Sequence, residues 1–325
     1  MRGFIILGLG LVLAVVFSLM IGDVWITPAK LWQGLLTGQG PGSLTLRVIR
    51  GPRVATALGA GAALGLAGAI FQTLFRNPLA APDVMGFNAG AGLAVLLAIS
   101  FGWALPMPVV AALGGLLAAV LVAALAHKPG HPASGMVLIL VGLGFGFTAS
   151  AIASFISVSL PVSEASEAQR WLTGSLAARN WGHAAEVWIL ATVLSIALAA
   201  LLPAFKLIEL GNDLATGLGL RVDAARWSII AVGVLLATAA VAVSGPVPFV
   251  ALMAAPLGIG LTRAREPGAR FAAAALSGAL VMVLADLAAR AAIPGVQLPI
   301  GVMTGILGAP YLLWRLSREM ERGEL

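Results

Sequence analysis

Cysteine is absent from this 325-residue chain, and histidine occurs only three times. Without cysteine the protein forms no disulfide and has neither a thiol nucleophile nor a thiolate metal site. His127 and His131 are four residues apart, but Pro129 and Gly130 between them prevent a helical metal-binding pair. His183 stands alone in another predicted loop. We therefore predict no metal site and no catalytic constellation.

Charged residues are also scarce, because they make up 10% of the chain, whereas soluble domains contain about a quarter. Hydrophobic residues make up 60%, and the mean hydropathy is +1.03. This composition excludes a water-soluble globule and indicates a membrane protein with many spans. The 40 glycines and 18 prolines suit closely packed, interrupted membrane helices, as does the spacing of Gly61 and Gly65.

The basic residues exclude two kinds of binding. Lysine occurs only as Lys30, Lys128 and Lys206, and none follows a glycine, so the chain has no P-loop. If ATP drives the protein, another chain binds the nucleotide. The formal net charge is +6, but the basic residues are scattered and lack interleaved aromatics, so we expect no nucleic-acid binding.

Ten apolar segments separated by polar residues predict an all-α membrane protein with ten transmembrane helices in a single domain, residues 1–325. The first segment has no signal-peptide cleavage site after it, so we expect it to be retained. The predicted segments are residues 4–22, 53–72, 86–103, 107–126, 135–159, 184–203, 227–244, 248–262, 271–292 and 299–316.

The positions of lysine and arginine predict the orientation. With the N-terminus inside, twelve of the 19 basic residues lie on the inner side and seven on the outer side. An even number of spans then puts both termini in the cytoplasm. Four of the seven outer residues lie between positions 30 and 53. This clustering opposes the usual excess of lysine and arginine on the inner side of a membrane protein and therefore requires a reason. The outer residues are Lys30, Arg47, Arg50, Arg53, Arg170, Arg179 and Arg290.

Two predicted spans contain unusual residues. Pro246 and Pro248 lie at the entry to the eighth and Pro256 lies inside it, so we expect no unbroken helix there, and the break could line a pathway or be a simple kink. In the ninth, Asp286 is the only carboxylate well inside a predicted span, and Arg290 follows four residues later. We predict a structural ion pair, with a proton relay as the alternative.

The inner loop at residues 205–226 predicts a short helix. Asn212 suits its cap, Asp213 suits its first turn, and Gly217 and Gly219 end it. Such a helix could dock with a soluble partner or lie on the lipid interface, and the sequence leaves both open.

Several stretches occur in a distinctive order from about residue 47 to the end of the chain. They are Arg50–Arg53, Gly68–Gln72, Arg76–Gly86, Trp171–Leu176, Leu210–Gly219 and Leu298–Pro310. The most specific motif contains Gln72, Arg76, Asn77, Pro78 and Gly86. This ordered set resembles the permease subunits of ABC importers for ferric siderophores, haem and cobalamin (the FecCD type), and among them the subunits for siderophores of the ferric-enterobactin type. The chain departs from the family at Leu257, where histidine is usual, and at Gln297, where many members have glutamate.

The resemblance implies the type II importer permease fold and ATP-driven import of a ferric siderophore across the bacterial inner membrane. The implied partners are a second permease subunit (a heterodimer is favoured), two cytoplasmic ATPase subunits, a periplasmic or lipid-anchored binding protein, and membrane lipid. ATP and Mg would be bound by the ATPase, and this chain would bind no cofactor. A cobalamin or haem permease is the alternative within the family. An ion-coupled secondary transporter is a further alternative, disfavoured by the few buried charges.

The resemblance also assigns site residues. Arg50, Arg53 and Arg290 would receive carboxylates of the binding protein, and we add Arg47, which lies three residues before Arg50. The fifth span would line the translocation path with a small, polar stripe, unless its serines only bond neighbouring helices. The stripe comprises Gly146, Ser150, Ser154 and Ser157. The inner segment would dock with the ATPase, and the small residues Ala215 and Gly217 would permit close approach. Its residues are Leu210, Gly211, Asp213, Ala215, Gly217, Leu218 and Gly219.

Overall fold

A computed structural model describes residues 1–22, 24–127, 135–293 and 295–322. Lys128 and His131 of the predicted inner loop lie outside these ranges. Within the ranges, fourteen α-helices and one π-helical turn at Thr45–Ile49 follow one another. The helices are α1 (Arg2–Met20), α2 (Pro28–Thr37), α3 (Gly40–Leu44), α4 (Gly51–Phe75), α5 (Phe87–Ser100), α6 (Met107–Ala126), α7 (Gly135–Ser159), α8 (Val162–Leu172), α9 (Trp181–Glu209), α10 (Asn212–Gly217), α11 (Val222–Ser244), α12 (Val250–Thr262), α13 (Pro267–Ala291) and α14 (Ile300–Arg322).

Each of the ten predicted apolar segments coincides with one helix, which confirms the all-helical architecture. Seven helices of the described residues are long and apolar enough to cross a membrane: α1, α4, α6, α7, α9, α11 and α13. Helices α5 and α12 are apolar but shorter, with 14 and 13 residues. A count of ten crossings and a cytoplasmic position of both termini stay predictions, and "inner" and "outer" below follow them.

Helix α4 lies at the centre of the structure, where it packs against α9, α11, α12 and α13. Its most extensive contact is with α13, where a Cβ atom at Gly61 would collide with the carbonyl oxygen of Gly278. A Cβ atom at Gly278 would collide with the carbonyl oxygen of Gly61 in the same way. Small residues that bring two helix backbones together are typical of membrane bundles, where lipid provides no hydrophobic driving force.

The prolines that lead into the eighth segment lie in a non-helical connection, but the predicted break inside that segment is wrong, because α12 runs unbroken from Val250 to Thr262. Helix α11 ends at Ser244, and α12 begins at Val250 after a connection that contains Pro246 and Pro248. The connection ends at Phe249, whose φ of +67° is in the left-handed region. Pro256 lies inside α12 and does not interrupt it.

Candidate functional site

A buried carboxylate joins two helices at the outer end of the bundle. Nε of Arg53 in α4 donates a hydrogen bond to Oδ1 of Asp286 in α13 at 2.8 Å. Nε of Arg290 donates to Oδ2 of the same carboxylate at 3.1 Å, and Asp286 is completely buried. The predicted ion pair between Asp286 and Arg290 is therefore confirmed. Arg53 is a second partner of Asp286, and it lies 233 residues earlier in the chain. The four-residue spacing within α13 could not predict this contact.

The other outer arginine contacts hold the end of α1. Arg50 donates to the carbonyl oxygens of Leu19, Met20 and Val24 at 2.6–2.9 Å. Arg290 donates to the Ser18 hydroxyl at 2.6 Å and to two carbonyl oxygens of the same turn at 3.1 Å. The last carbonyl groups of a helix have no partner within it and favour a cation. Two of the arginines thus stabilise the C-terminus of α1.

The structure brings together three of the four arginines predicted to dock a binding protein, and these three are buried. Arg50 and Arg53 are each 8% exposed, and the Arg290 side chain is 7% exposed. Arg47 is exposed, and its carbonyl oxygen accepts a hydrogen bond from Nε1 of Trp181 at 2.7 Å. A docking partner would therefore reach the buried three only through an opening beside them.

Such an opening exists as a cavity of about 300 Å³. It is lined by Arg50, Arg53, Arg290 and Gln297 together with mostly apolar residues from the first fifty of the chain. Nη1 of Arg53 also lies 3.4 Å from Oε1 of Gln297. Two guanidinium groups share the Asp286 carboxylate, and the guanidinium group of Arg50 lies in the same lining, so the surplus positive charge suits an anion such as a carboxylate.

On the inner side, the predicted short helix is confirmed as α10. Asn212 is its first residue rather than its cap, and the Asn212 side-chain oxygen accepts a hydrogen bond from Arg226 at 3.1 Å. Gly211 and Gly219 flank the helix with φ angles of +111° and +87°, which glycine adopts without strain.

The side chain of Ala215 faces the interior of the chain, which corrects the prediction that it permits a partner to approach. Ala215 is fully buried, whereas Asp213, Gly217 and Gly219 are exposed. Leu210, Leu214 and Leu218 are 58%, 61% and 63% exposed at intervals of four residues. We call these three the leucine stripe. The sequence prediction missed Leu214, although the interval of four was visible.

The motif residues anchor the turn between α4 and α5 to three other helices. Gln72 donates to the carbonyl oxygen of Leu252 in α12 at 3.0 Å, and Arg76 donates to carbonyl oxygens at the end of α9. Asn77 accepts a hydrogen bond within the turn, which also contains Pro78. Gly86 has a φ of +79° and lies against the backbone of α7.

Asp83, in the same turn, was not singled out from the sequence. Its Oδ2 accepts a hydrogen bond from the backbone nitrogen of Phe249 at 3.1 Å, at the start of α12. A carboxylate at a helix N-terminus accepts a hydrogen bond from an otherwise unpaired N–H group, and its negative charge interacts favourably with the positive end of the helix dipole. The only signal in the sequence was its place inside the motif.

The predicted polar stripe on α7 is partly exposed. The hydroxyl groups of Ser154 and Ser157 donate to carbonyl oxygens of their own helix at 2.9 and 2.8 Å. These two bonds do not link α7 to a neighbour. Ser150 and Ser154 are exposed, and Gly146 and Ser157 are partly buried. A role in lining a path stays a prediction.

Comparison with known proteins gives the family. The model of the FecCD transport family matches residues 10–318, which is nearly the whole chain. The chain belongs to the FecCD transport family. This FecCD-family chain is 36% identical to the ferric enterobactin transport system permease protein FepG of Escherichia coli (strain K12), over 96% of this chain and 94% of FepG. It is 36% identical to the Fe(3+)-citrate import system permease protein YfmE of Bacillus subtilis (strain 168), over 98% of this chain and 95% of YfmE.

A solved structure of a metal-chelate type ABC transporter in an inward-facing conformation has the same fold. It superposes with a TM-score of 0.83 at 28% identity and covers 97% of this chain and 98% of its own. Together with the seven apolar helices, these matches make the FecCD-family chain a multi-pass permease of the bacterial inner membrane.

We predict that Asp286→Asn strongly lowers the stability of the isolated permease in detergent. The change leaves Arg53 and Arg290 without their carboxylate, and removing one partner of a buried ion pair costs about 3–5 kcal/mol. The measurement is the thermal unfolding midpoint. Glu266→Gln is the matched control, because it breaks an exposed pair with Lys206 and should change the midpoint little. Equal midpoints for the two variants would contradict the buried clamp.

Proposed function

We propose that this chain is the transmembrane permease subunit of an ATP-driven importer that moves a ferric siderophore from the periplasmic side to the cytoplasm. The observation that carries the proposal is similarity over nearly the whole chain to permeases named for ferric enterobactin and ferric citrate. ATP hydrolysis takes place on a separate ATPase chain, in agreement with the missing P-loop. The ferric complex is the substrate and not a resident cofactor.

The proposed assembly contains a second permease subunit, two cytoplasmic ATPase subunits and an outer binding protein. The stripe on α7 supports a path formed between the two permeases. Ser150 and Ser154 are exposed there beside the 73% and 76% exposed side chains of Phe147 and Phe155. Weak contacts of mixed polarity would let a large chelate pass without binding it too tightly for release.

We further propose that the leucine stripe, which consists of Leu214 in α10 and the flanking Leu210 and Leu218, docks in a cleft of the ATPase. Three exposed leucines on a polar loop form an apolar surface that a partner would remove from water. Burial of one leucine side chain contributes about 1.5–3 kcal/mol, so each leucine is significant for association. Asp213 and the exposed glycines would lie at the rim of this contact.

The test is uptake into liposomes that contain the permease pair, the ATPase and the binding protein. Ferric siderophore should accumulate only with ATP, and an ion gradient without ATP should not replace it. Leu214→Glu should reduce ATPase association about tenfold or more and abolish uptake, because it introduces a charge into the apolar contact. Leu36→Glu, an equally exposed position on the outer side, should leave ATPase association unchanged.

Two results would contradict this proposal. Uptake driven by an ion gradient alone would indicate a secondary transporter. Uptake of cobalamin or haem in place of ferric siderophores would show that the proposed substrate class is wrong. Normal ATPase association of Leu214→Glu would remove the leucine stripe from the docking surface.

At the outer side, we propose that a carboxylate of the binding protein enters the cavity lined by Arg50, Arg53 and Arg290. Arg47 would contribute at the exposed rim. The planar guanidinium fork suits a carboxylate, and pairs at a rim mainly set orientation and association rate. Replacing Arg50 and Arg53 by glutamate would also break the internal contacts described above, so docking needs a gentler test.

We predict that the binding protein protects Gln297→Cys from a water-soluble maleimide. Gln297 is exposed beside the cavity, and the chain has no other cysteine, so labelling reports this position alone. Protection should weaken at high salt, because screening reduces the charge attraction. Leu105→Cys in the outer loop between α5 and α6 is the comparison site. Unchanged labelling of Gln297→Cys under saturating binding protein would rule out docking at this cavity.

A further inference from the structure

A second ionic cluster joins three helices at the inner end of the bundle. Nη1 of Arg270 in α13 lies 2.8 Å from Oε1 of Glu209, the last residue of α9. Nη2 of Arg270 donates to the hydroxyl group of Thr73 in α4 at 2.8 Å. One guanidinium group therefore holds the end of α9 against both α4 and α13.

Arg76 makes a second connection to the same point. It ends α4 in the left-handed conformation, with φ at +48°, and its Nη2 donates to the carbonyl oxygens of Ile208 and Glu209 at 3.1 and 3.0 Å. A cation at these last carbonyl groups stabilises the end of α9. Only Leu210 and Gly211 separate Glu209 from the start of α10. The cluster therefore lies two residues from the start of α10 along the chain.

A neighbouring ion pair also joins α9 to the start of α13, but it is more exposed. Lys206 of α9 lies 3.1 Å from Glu266, which precedes α13, and their side chains are 59% and 75% exposed. The side chains of Arg270 and Glu209 are 22% and 33% exposed. An exposed pair is screened by water and contributes little, whereas a shielded pair with an additional hydrogen bond fixes geometry more strongly.

We propose that the pair formed by Glu209 and Arg270 is a positioning contact that transmits displacement of α10 to α4 and α13. The inference rests on the proposed function, in which the ATPase docks on α10. The receiving helices are in direct backbone contact at Gly61 and Gly278, and the carboxylate of Asp286 clamps their outer ends. A movement that enters at Glu209 would therefore reach the outer arginines along one packed pair of helices, as rigid-body motion.

The experiment compares Glu209→Gln, Arg270→Gln and the double variant in the liposome assay. The measured quantity is the amount of substrate transported per ATP hydrolysed. Each single variant should lower this ratio about fivefold or more, within the usual range of coupling between sites. The double variant should be no worse than either single one, because all three break the same contact. ATPase association should persist, since the leucine stripe is unchanged.

Lys206→Gln and Glu266→Gln are the matched controls, and both should keep the wild-type ratio. Arg270→Lys retains the charge opposite Glu209 but loses the planar fork that also reaches Thr73, so it should give an intermediate ratio. This variant keeps the test decisive if the glutamine variants assemble poorly.

The outcomes separate the two proposals. A lower ratio in assembled variants, with intact controls, supports the positioning role. Variants that only lose assembly or thermal stability while transporting with the wild-type ratio would overturn it and leave the proposed function standing. A wild-type complex without ATP-driven uptake would overturn the proposed function, and this inference with it.

Discussion

Helices α4 and α13 approach so closely that the carbonyl oxygens of Gly61 and Gly278 each occupy the place where the other residue's side chain would begin. This contact puts α4 at the centre of the bundle, and α9, α11 and α12 pack around it. In lipid, two such helices gain from van der Waals contact and from polar groups satisfied between them. The Arg53–Asp286 bond at one end and the Arg270–Thr73 bond at the other supply those polar contacts.

The ionic cluster at the outer end gives the outer excess of arginine a physical reason. Arg50 and Arg290 satisfy the carbonyl groups at the end of α1, and Arg53 and Arg290 neutralise Asp286, so these charges are needed inside the fold. Because this cluster contains three arginines and one carboxylate among the described residues, positive charge also remains for an anionic partner. The same residues can therefore stabilise the bundle and attract a binding protein, and mutations there report on both roles unless the internal contacts are preserved.

Much of this architecture could be predicted from the sequence, because long apolar runs, prolines and four-residue spacings are local signals. They located every long helix, the break before α12 and the pair of Asp286 with Arg290. Contacts between distant residues could not be predicted in this way, so Arg53 and Arg270 were not linked to their carboxylates. The burial of Ala215 was also missed, because a six-residue helix has too few turns for periodicity to decide which face is inside. Asp83 went unnoticed because its partner, the backbone of Phe249, lies 166 residues away.

The central claim is that α4 and α13 move as one body when ATP is bound and hydrolysed. The most direct measurement is the distance between spin labels at Leu58→Cys in α4 and Leu284→Cys in α13, two positions that are not buried. The chain contains no other cysteine, so the labels report on this pair alone. In an actively transporting complex, the account predicts the same distance without nucleotide, with ATP bound and after hydrolysis. A change of this distance between those states would contradict it.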